Sequence, residues 1–242
     1  MKKYAWTGLM LIAAVCVGQE TIPAGTVLPV QMNSSLRSDK LKVGEKVSGR
    51  VMQEVPLGGG AKIKAGAKVI GQVVAVNASG VNSPAELAVR FETVTEGKKQ
   101  IPIVTNLRAM ATMMDVAEAR VPQTGPDRGT SEYYWVTEQI GGETVYHGGG
   151  AVTNGLHVVG KAVNDGVLVN VAAREKCRDG MEGNERPQAM WLFSSDACGL
   201  YDLPGLEIVH AGRTDPVGEI RLRSEHGNVN VRAGSGVLLR VE

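Results

Sequence analysis

Aromatic side chains are few: 3 Trp, 5 Tyr and 2 Phe among 242 residues, too sparse for a platform on which nucleic-acid bases stack. Charge of one sign is missing as well. Lys and Arg number 26 against 25 Asp and Glu, and no basic run stands out, so nucleic acid is not expected as a partner. Cysteine is limited to Cys16, Cys177 and Cys198. The four histidines, His147, His157, His210 and His226, stand at no spacing that suits a zinc site. No apolar run reaches the roughly 20 residues that a bilayer-spanning helix requires. A metal site, a cofactor and a transmembrane span in the mature chain are therefore not expected.

What is present begins at the N-terminus. Lys2 and Lys3 precede the apolar stretch Leu9–Val17, and small residues follow at Cys16 and Gly18. This is the three-part pattern of a secretory signal peptide over residues 1–18, with cleavage after Gly18. The protein is expected to be exported, to the periplasm or the extracellular space. Cys16 offers an alternative, cleavage before the cysteine and an outer-membrane lipoprotein, although Val15 stands where that reaction favours a small residue. Loss of residues 1–18 leaves about 224 residues, enough for one large β domain or two smaller ones.

Export also frames the cysteines. Without Cys16, Cys177 and Cys198 remain as an even pair in an oxidising compartment, which predicts a disulfide between them. Closing a loop of about 20 residues stabilises a fold by roughly 3 kcal/mol in the chain-entropy account. Two unpaired buried thiols are the alternative.

Along the mature chain, alternation with a period of two dominates. Leu87, Val89 and Phe91 share one face, while Glu86, Arg90 and Glu92 share the other. Val47, Val51 and Val55 oppose Ser48, Arg50 and Glu54, and the pattern returns at Ile220 and Leu222 and at Val229 and Val231. Such segments are half-buried strands of antiparallel sheets. Gly66–Asn77 and Gln100–Leu107 are more continuously apolar and fit interior strands. Only Leu107–Arg120, with Leu107, Met110, Met114 and Ala117 at helical spacing, predicts a modest helix or connecting segment, ended by Pro122. The 31 glycines are scattered as tight turns between short strands would scatter them. Three of them recur in an Ala-Gly step, at Gly25, Gly66 and Gly234, where a positive φ would feed the chain into the next strand. The fold class expected is all-β: an antiparallel β-barrel or sandwich with an inserted β-rich subdomain and at most one or two short helices.

Chemistry-bearing patterns are weak. Gly155–Ala162 approaches a phosphate-binding loop, but Ala162 replaces the metal-binding hydroxyl and Leu156, Val158 and Val159 read as strand. Ser194, Ser195 and Asp196 lie beside Cys198 without an evident base, and Gly234-Ser235-Gly236 lacks the nucleophile elbow. No catalytic residue is expected, and the chain does not read as an enzyme. Tyr133, Tyr134, Trp135, Tyr146 and Trp191 hold a large share of the few aromatics. They form either a small-ligand or glycan-binding site or the core of the inserted subdomain, while the Gly-rich stretch Gly141–Gly155 reads as a binding loop or a long turn.

Within Ile22–Val74, Ile22-Pro-Ala-Gly-Thr-Val-Leu-Pro-Val30, Ser35-Leu-Arg-Ser-Asp39, Val47–Val51 and Ile63-Lys-Ala-Gly-Ala-Lys-Val-Ile-Gly71 resemble the scaffold barrel of the TrbI type from conjugal-transfer and type IV secretion systems. Asn228–Val241 is similar to the closing strands of that family. The resemblance implies one barrel built from both ends of the chain, residues 19–109 and 216–242, with residues 110–215 inserted as a disulfide-bearing β-rich subdomain. It further implies a non-enzymatic structural or accessory role in the cell envelope, with other envelope proteins as partners and, by analogy, a homo-oligomeric ring. Met110–Asp215 is Gly-rich and charged where the family carries apolar helices, so the barrel and the envelope setting are what carry over.

Overall fold

The structure, a computed structural model, describes residues 21–81, 83–125, 127, 129–171 and 186–242. The expected signal peptide (residues 1–18, with Cys16) and Cys177 lie outside the described residues. In chain order the first strands are β1 (Val27–Met32), β2 (Leu36–Arg37), β3 (Lys46–Val51), β4 (Val55–Gly58), β5 (Ala61–Ile63), β6 (Lys68–Asn77), β7 (Ala85–Glu96), β8 (Lys99–Pro102) and β9 (Thr105–Ala111). Helix α1 (Met113–Glu118) and a 3-10 turn (Glu132–Tyr134) lead into β10 (Val136–Glu138), β11 (Thr144–Tyr146), β12 (Ala151–Asn154), β13 (His157–Val163), β14 (Gly166–Val169) and β15 (Gln188–Ala189). The remaining strands are β16 (Gly199–Tyr201), β17 (Leu206–His210), β18 (Ile220–Ser224), β19 (Asn230–Val231) and β20 (Gly236–Val241). Among the described residues no helix is long and apolar enough to cross a membrane.

One large sheet runs in the order β16-β9-β20-β1-β3-β6-β7-β18-β17, with β8 attached to β7. It curls into a nearly closed barrel, antiparallel throughout except for the β16–β9 pair. The N- and C-terminal strands β1 and β20 pair from Val27↔Arg240 to Gln31↔Gly236. The alternation decides which way each strand faces. Leu87, Val89 and Phe91 on β7, Val47 and Val51 on β3, and Ile220 and Leu222 on β18 all point into the barrel core, as period two requires when one face is wet. At the three Ala-Gly steps, Gly25, Gly66 and Gly234 have φ of 78°, 88° and 92°. Each lies two residues before a strand (β1, β6 and β20), so left-handed backbone sets the turn into it.

The second sheet is a six-stranded antiparallel meander, β10-β11-β12-β13-β14-β15. It packs on the outside of the barrel against β9, β20 and β1, which are buried on both faces. Leu28, Val30, Val237, Leu239 and Leu107 fill the barrel. Their neighbours Val27, Leu238, Ala109 and Ala111 meet Val145, Val152, Val169 and Phe193 of the outer core. A wall wetted on neither side needs apolar residues at successive positions, hence runs such as Gly-Val-Leu-Leu in β20. The near phosphate-loop pattern Gly155–Ala162 falls across β13, as its apolar middle predicted.

Two features differ from the sequence reading. Leu107–Arg120 is not one helix: Leu107 and Met110 belong to β9, and α1 covers only Met113–Glu118. Pairing with β20 on one side and β16 on the other outweighs the helix propensity of the Leu/Ala/Met segment. Thr112 then starts the short helix with a capping box, its hydroxyl accepting from the Asp115 N–H while the Asp115 carboxylate accepts from the Thr112 N–H. The 110–215 segment, moreover, does not stay apart from the barrel. β16 and β17, both inside it, are members of the large sheet.

Candidate functional site

The expected aromatic site divides between the two faces of the meander. Residues 131–135 open with Ser131, whose hydroxyl accepts from the Tyr133 N–H at 3.3 Å and starts the 3-10 turn. The turn sets the Tyr133 and Tyr134 rings edge to face, centroids 5.2 Å apart. Trp135 follows, its carbonyl accepting from the His147 N–H at 3.1 Å. Val136 pairs directly with Tyr146, which brings the fourth aromatic alongside. Gly148 permits the close approach of the loop, since a Cβ there would lie 2.0 Å from the Tyr133 carbonyl oxygen. Tyr133, Tyr134 and Tyr146 are 61%, 68% and 46% exposed, so the corner presents three rings to solvent. Val158, paired with Thr153, lies on the same outer face as Tyr146, and Leu156 at the β12–β13 turn is fully exposed beside it.

Trp191 is elsewhere. Thr137 pairs with Val145, one step out of phase with Val136 and Tyr146, so those two side chains face the barrel, and Trp191 packs on that inner side. The Arg120 guanidinium sits over its ring, 5.3 Å from the centroid. Trp191 holds a left-handed φ of 54°, and its N–H donates to Gln53 Oε1 at 2.7 Å. Gln53 also accepts from the Val167 N–H at 3.2 Å and donates to the Val167 carbonyl at 2.7 Å. One buried amide, reaching out from the end of β3, thus fastens the meander to the barrel. Beside Trp191 opens a cavity of about 430 Å³, into which Arg120, His147, Thr137 and Asp165 contribute. Thr137 Oγ1 and His147 Nε2 are 3.1 Å apart. Its size suits a small ligand, and an aromatic wall with a few polar groups is the usual composition of such a site.

The serine-rich stretch has a partner that the sequence did not reveal. Ser195 donates both its N–H, at 2.8 Å, and its hydroxyl to the carboxylate of Glu143. Arg108 on β9 donates from Nε to the Ala197 carbonyl at 2.9 Å and from Nη2 to the Ser195 carbonyl at 2.6 Å. Arg108, Glu143 and Ser195 are all buried. The constellation therefore ties the Phe193–Cys198 loop to the barrel wall, and no substrate reaches it from solvent. Glu143 lies in a β10–β11 turn far from Ser195 in sequence, and no spacing could have announced the pair. The histidines do not gather: His210 is held by the Glu219 carbonyl and Thr214, and among the described residues no group of three His, Cys, Asp or Glu side chains could hold a metal ion.

Electrostatics concentrate on the barrel exterior. Glu86 accepts from Arg223 Nη2 at 2.7 Å and from Arg221 Nη1 at 3.1 Å. These hydrogen bonds, Arg223's foremost, hold the Glu86 carboxyl below the usual glutamate range.

No known protein family matches this chain, and no curated protein matches it either.

Proposed function

We propose that this chain is an exported, non-enzymatic protein of a bacterial-type cell envelope, a structural or accessory scaffold that works by contact with other envelope proteins. The observation that carries the reading is the solvent-facing corner of Tyr133, Tyr134 and Tyr146. Aromatic rings held at low conformational freedom are the side chains that anchor protein interfaces. The close approach of Gly148 to Tyr133 and the Trp135–His147 hydrogen bond tie this corner to the meander. A TrbI-type barrel is part of the same proposal, supported by the two segments that carry the resemblance being neighbours in one sheet, β1 beside β20. The signal peptide and the Cys177–Cys198 disulfide belong to it too; denatured mature protein should yield no titratable thiol, and two would overturn the pairing.

The test is a photo-crosslinking amino acid placed at Tyr134 and, as control, at exposed Lys98 in the turn between β7 and β8. Crosslinking in intact envelopes should give discrete adducts with envelope proteins from position 134 and none from position 98. Equal patterns from both positions, or none from either, would remove the scaffold reading.

A second reading is favoured by one observation, the cavity beside Trp191 and Arg120: a periplasmic or extracellular module for a small ligand or glycan. Titration with cell-wall fragments should then change tryptophan emission saturably. A flat response removes this reading and leaves the first untouched.

A further inference from the structure

The cavity of about 430 Å³ beside Trp191 holds one cation and one anion that do not meet. Arg120, in the turn that closes α1, and Asp165, in the β13–β14 hairpin turn, both line it. Neither side chain forms an ion pair or a hydrogen bond, with the other or with any other described residue. The single contact of the Arg120 guanidinium is the Trp191 ring.

Trp191 sets the two charges apart. Its φ of 54° is a left-handed conformation, which a bulky residue keeps only where its surroundings impose it and which clusters at ligand sites. Two groups impose it here. Gln53 Oε1 accepts from the Trp191 N–H at 2.7 Å, and Gly166 comes so near that a Cβ on it would lie 2.7 Å from Trp191 Cα. Gly166 directly follows Asp165, so the same approach brings Asp165 to the backbone side of Trp191. At the other side the guanidinium lies over the indole, 5.3 Å from its centroid, a stacking that orients it before any ligand arrives. Trp191 itself is 3% exposed, so its ring is a spacer between the charges and offers little face on which a sugar could stack. Met52, Val145 and Leu192 make the cavity wall apolar elsewhere, and the Thr137–His147 pair adds neutral polar groups.

We propose that this cavity binds a small zwitterion with an apolar body, as a free α-amino acid is and as a short peptide is through its two termini. The ligand carboxylate lies against Arg120, whose forked N–H groups match two carboxylate oxygens. The ligand ammonium donates to the Asp165 carboxylate, and the apolar body lies on Met52, Val145 and Leu192. The inference rests on the ligand-binding reading of this cavity, narrows it from glycans to zwitterions, and is independent of the tyrosine corner.

Isothermal titration calorimetry on the full mature protein tests it, with leucine, leucinamide, 4-methylpentanoate and the dipeptide leucylalanine. Leucine or leucylalanine is expected to bind saturably. The tighter of the two should exceed leucinamide, which lacks the carboxylate, and 4-methylpentanoate, which lacks the ammonium, by at least ten-fold each. Tighter binding of leucine identifies a free amino acid as the source, and tighter binding of leucylalanine identifies a peptide. Arg120→Gln and Asp165→Asn should each weaken the tighter ligand at least ten-fold. Both side chains are exposed, and Asn tolerates the left-handed φ of 64° at position 165, so both variants should fold with thermal midpoints close to wild type. Leucinamide and 4-methylpentanoate binding as tightly as the zwitterions, or wild-type affinity in both variants, would overturn the proposal. So would no binding of leucine and leucylalanine. In that case a saturable change of tryptophan emission with cell-wall fragments would keep the cavity as a ligand site of another class, and a flat response would remove that reading as well.

Discussion

The backbone N–H of Leu107 on β9 donates to the carbonyl oxygen of Ala211, just past β17, at 2.8 Å. Arg213 Nη2 returns a bond to the Leu107 carbonyl at 3.2 Å. Both main-chain groups of Leu107 on that side are satisfied by a segment at the other edge of the same sheet. The nine-strand path therefore curls round on itself, and most of two unpaired edges, which would otherwise invite pairing between molecules, is removed.

The wall β9-β20-β1 serves two cores, which predicts that the barrel and the meander unfold together. Leu238→Ala empties the outer core and Leu239→Ala the barrel. Each should cost about 2–5 kcal/mol. Urea unfolding followed by tryptophan fluorescence and by far-ultraviolet circular dichroism should give coincident transitions in both variants. A fluorescence transition that precedes loss of strand signal in Leu238→Ala would show two independent units.

Gln53 makes three buried bonds to the meander, at 2.7, 3.2 and 2.7 Å. Gln53→Leu strands the N–H groups of Val167 and Trp191 away from water, while the Val167 carbonyl keeps the Met190 N–H at 3.2 Å. Each such orphan costs about 1–3 kcal/mol, and relaxation should bring the total to roughly 3 kcal/mol. A loss below about 1 kcal/mol in the urea midpoint would mean that the fastening lies elsewhere.

Glu86 gives a pH signature. Its folded carboxyl titrates below the unfolded value because Arg223 and Arg221 hold the ionised form. Its contribution is therefore fully present above the ordinary glutamate range and is lost as pH falls through the depressed folded value. Glu86→Gln should lose about 1 kcal/mol at neutral pH, a modest figure because solvent screens the group. Unfolding midpoints of wild type and variant, measured from pH 7 down to pH 3, should converge on acidification; a gap that stays constant would exclude the ion pair as its cause.

Gly148 and Gly149 are adjacent but not equivalent. A Cβ at Gly148 would press on Tyr133 at 2.0 Å, whereas one at Gly149 meets nothing. Gly148→Ala should cost about 1–3 kcal/mol by overpacking and alter the near-ultraviolet tyrosine signal. Gly149→Ala should stay within about 0.5 kcal/mol of wild type. Similar effects of the two would sever the link between the glycine loop and the tyrosine corner.

Local patterns were enough for the all-β class, the inward faces of β3, β7 and β18, and the three Ala-Gly turns. Side-chain alternation is a property of each strand by itself, and a left-handed turn needs only its own glycine. Long-range pairing decided the rest. Leu107 and Met110 are strand residues because β20 and β16 flank them, and no helical periodicity within the segment could report those neighbours. Trp191 and Tyr146 face opposite sides of the meander because Val145 and Tyr146 are consecutive on β11, a parity that becomes visible only once strand and register are known. Glu143 meets Ser195 because the β10–β11 turn folds onto the loop that precedes β16. A sequence specifies which way a strand faces; which other strand it faces is set by the free energy of the whole packed sheet.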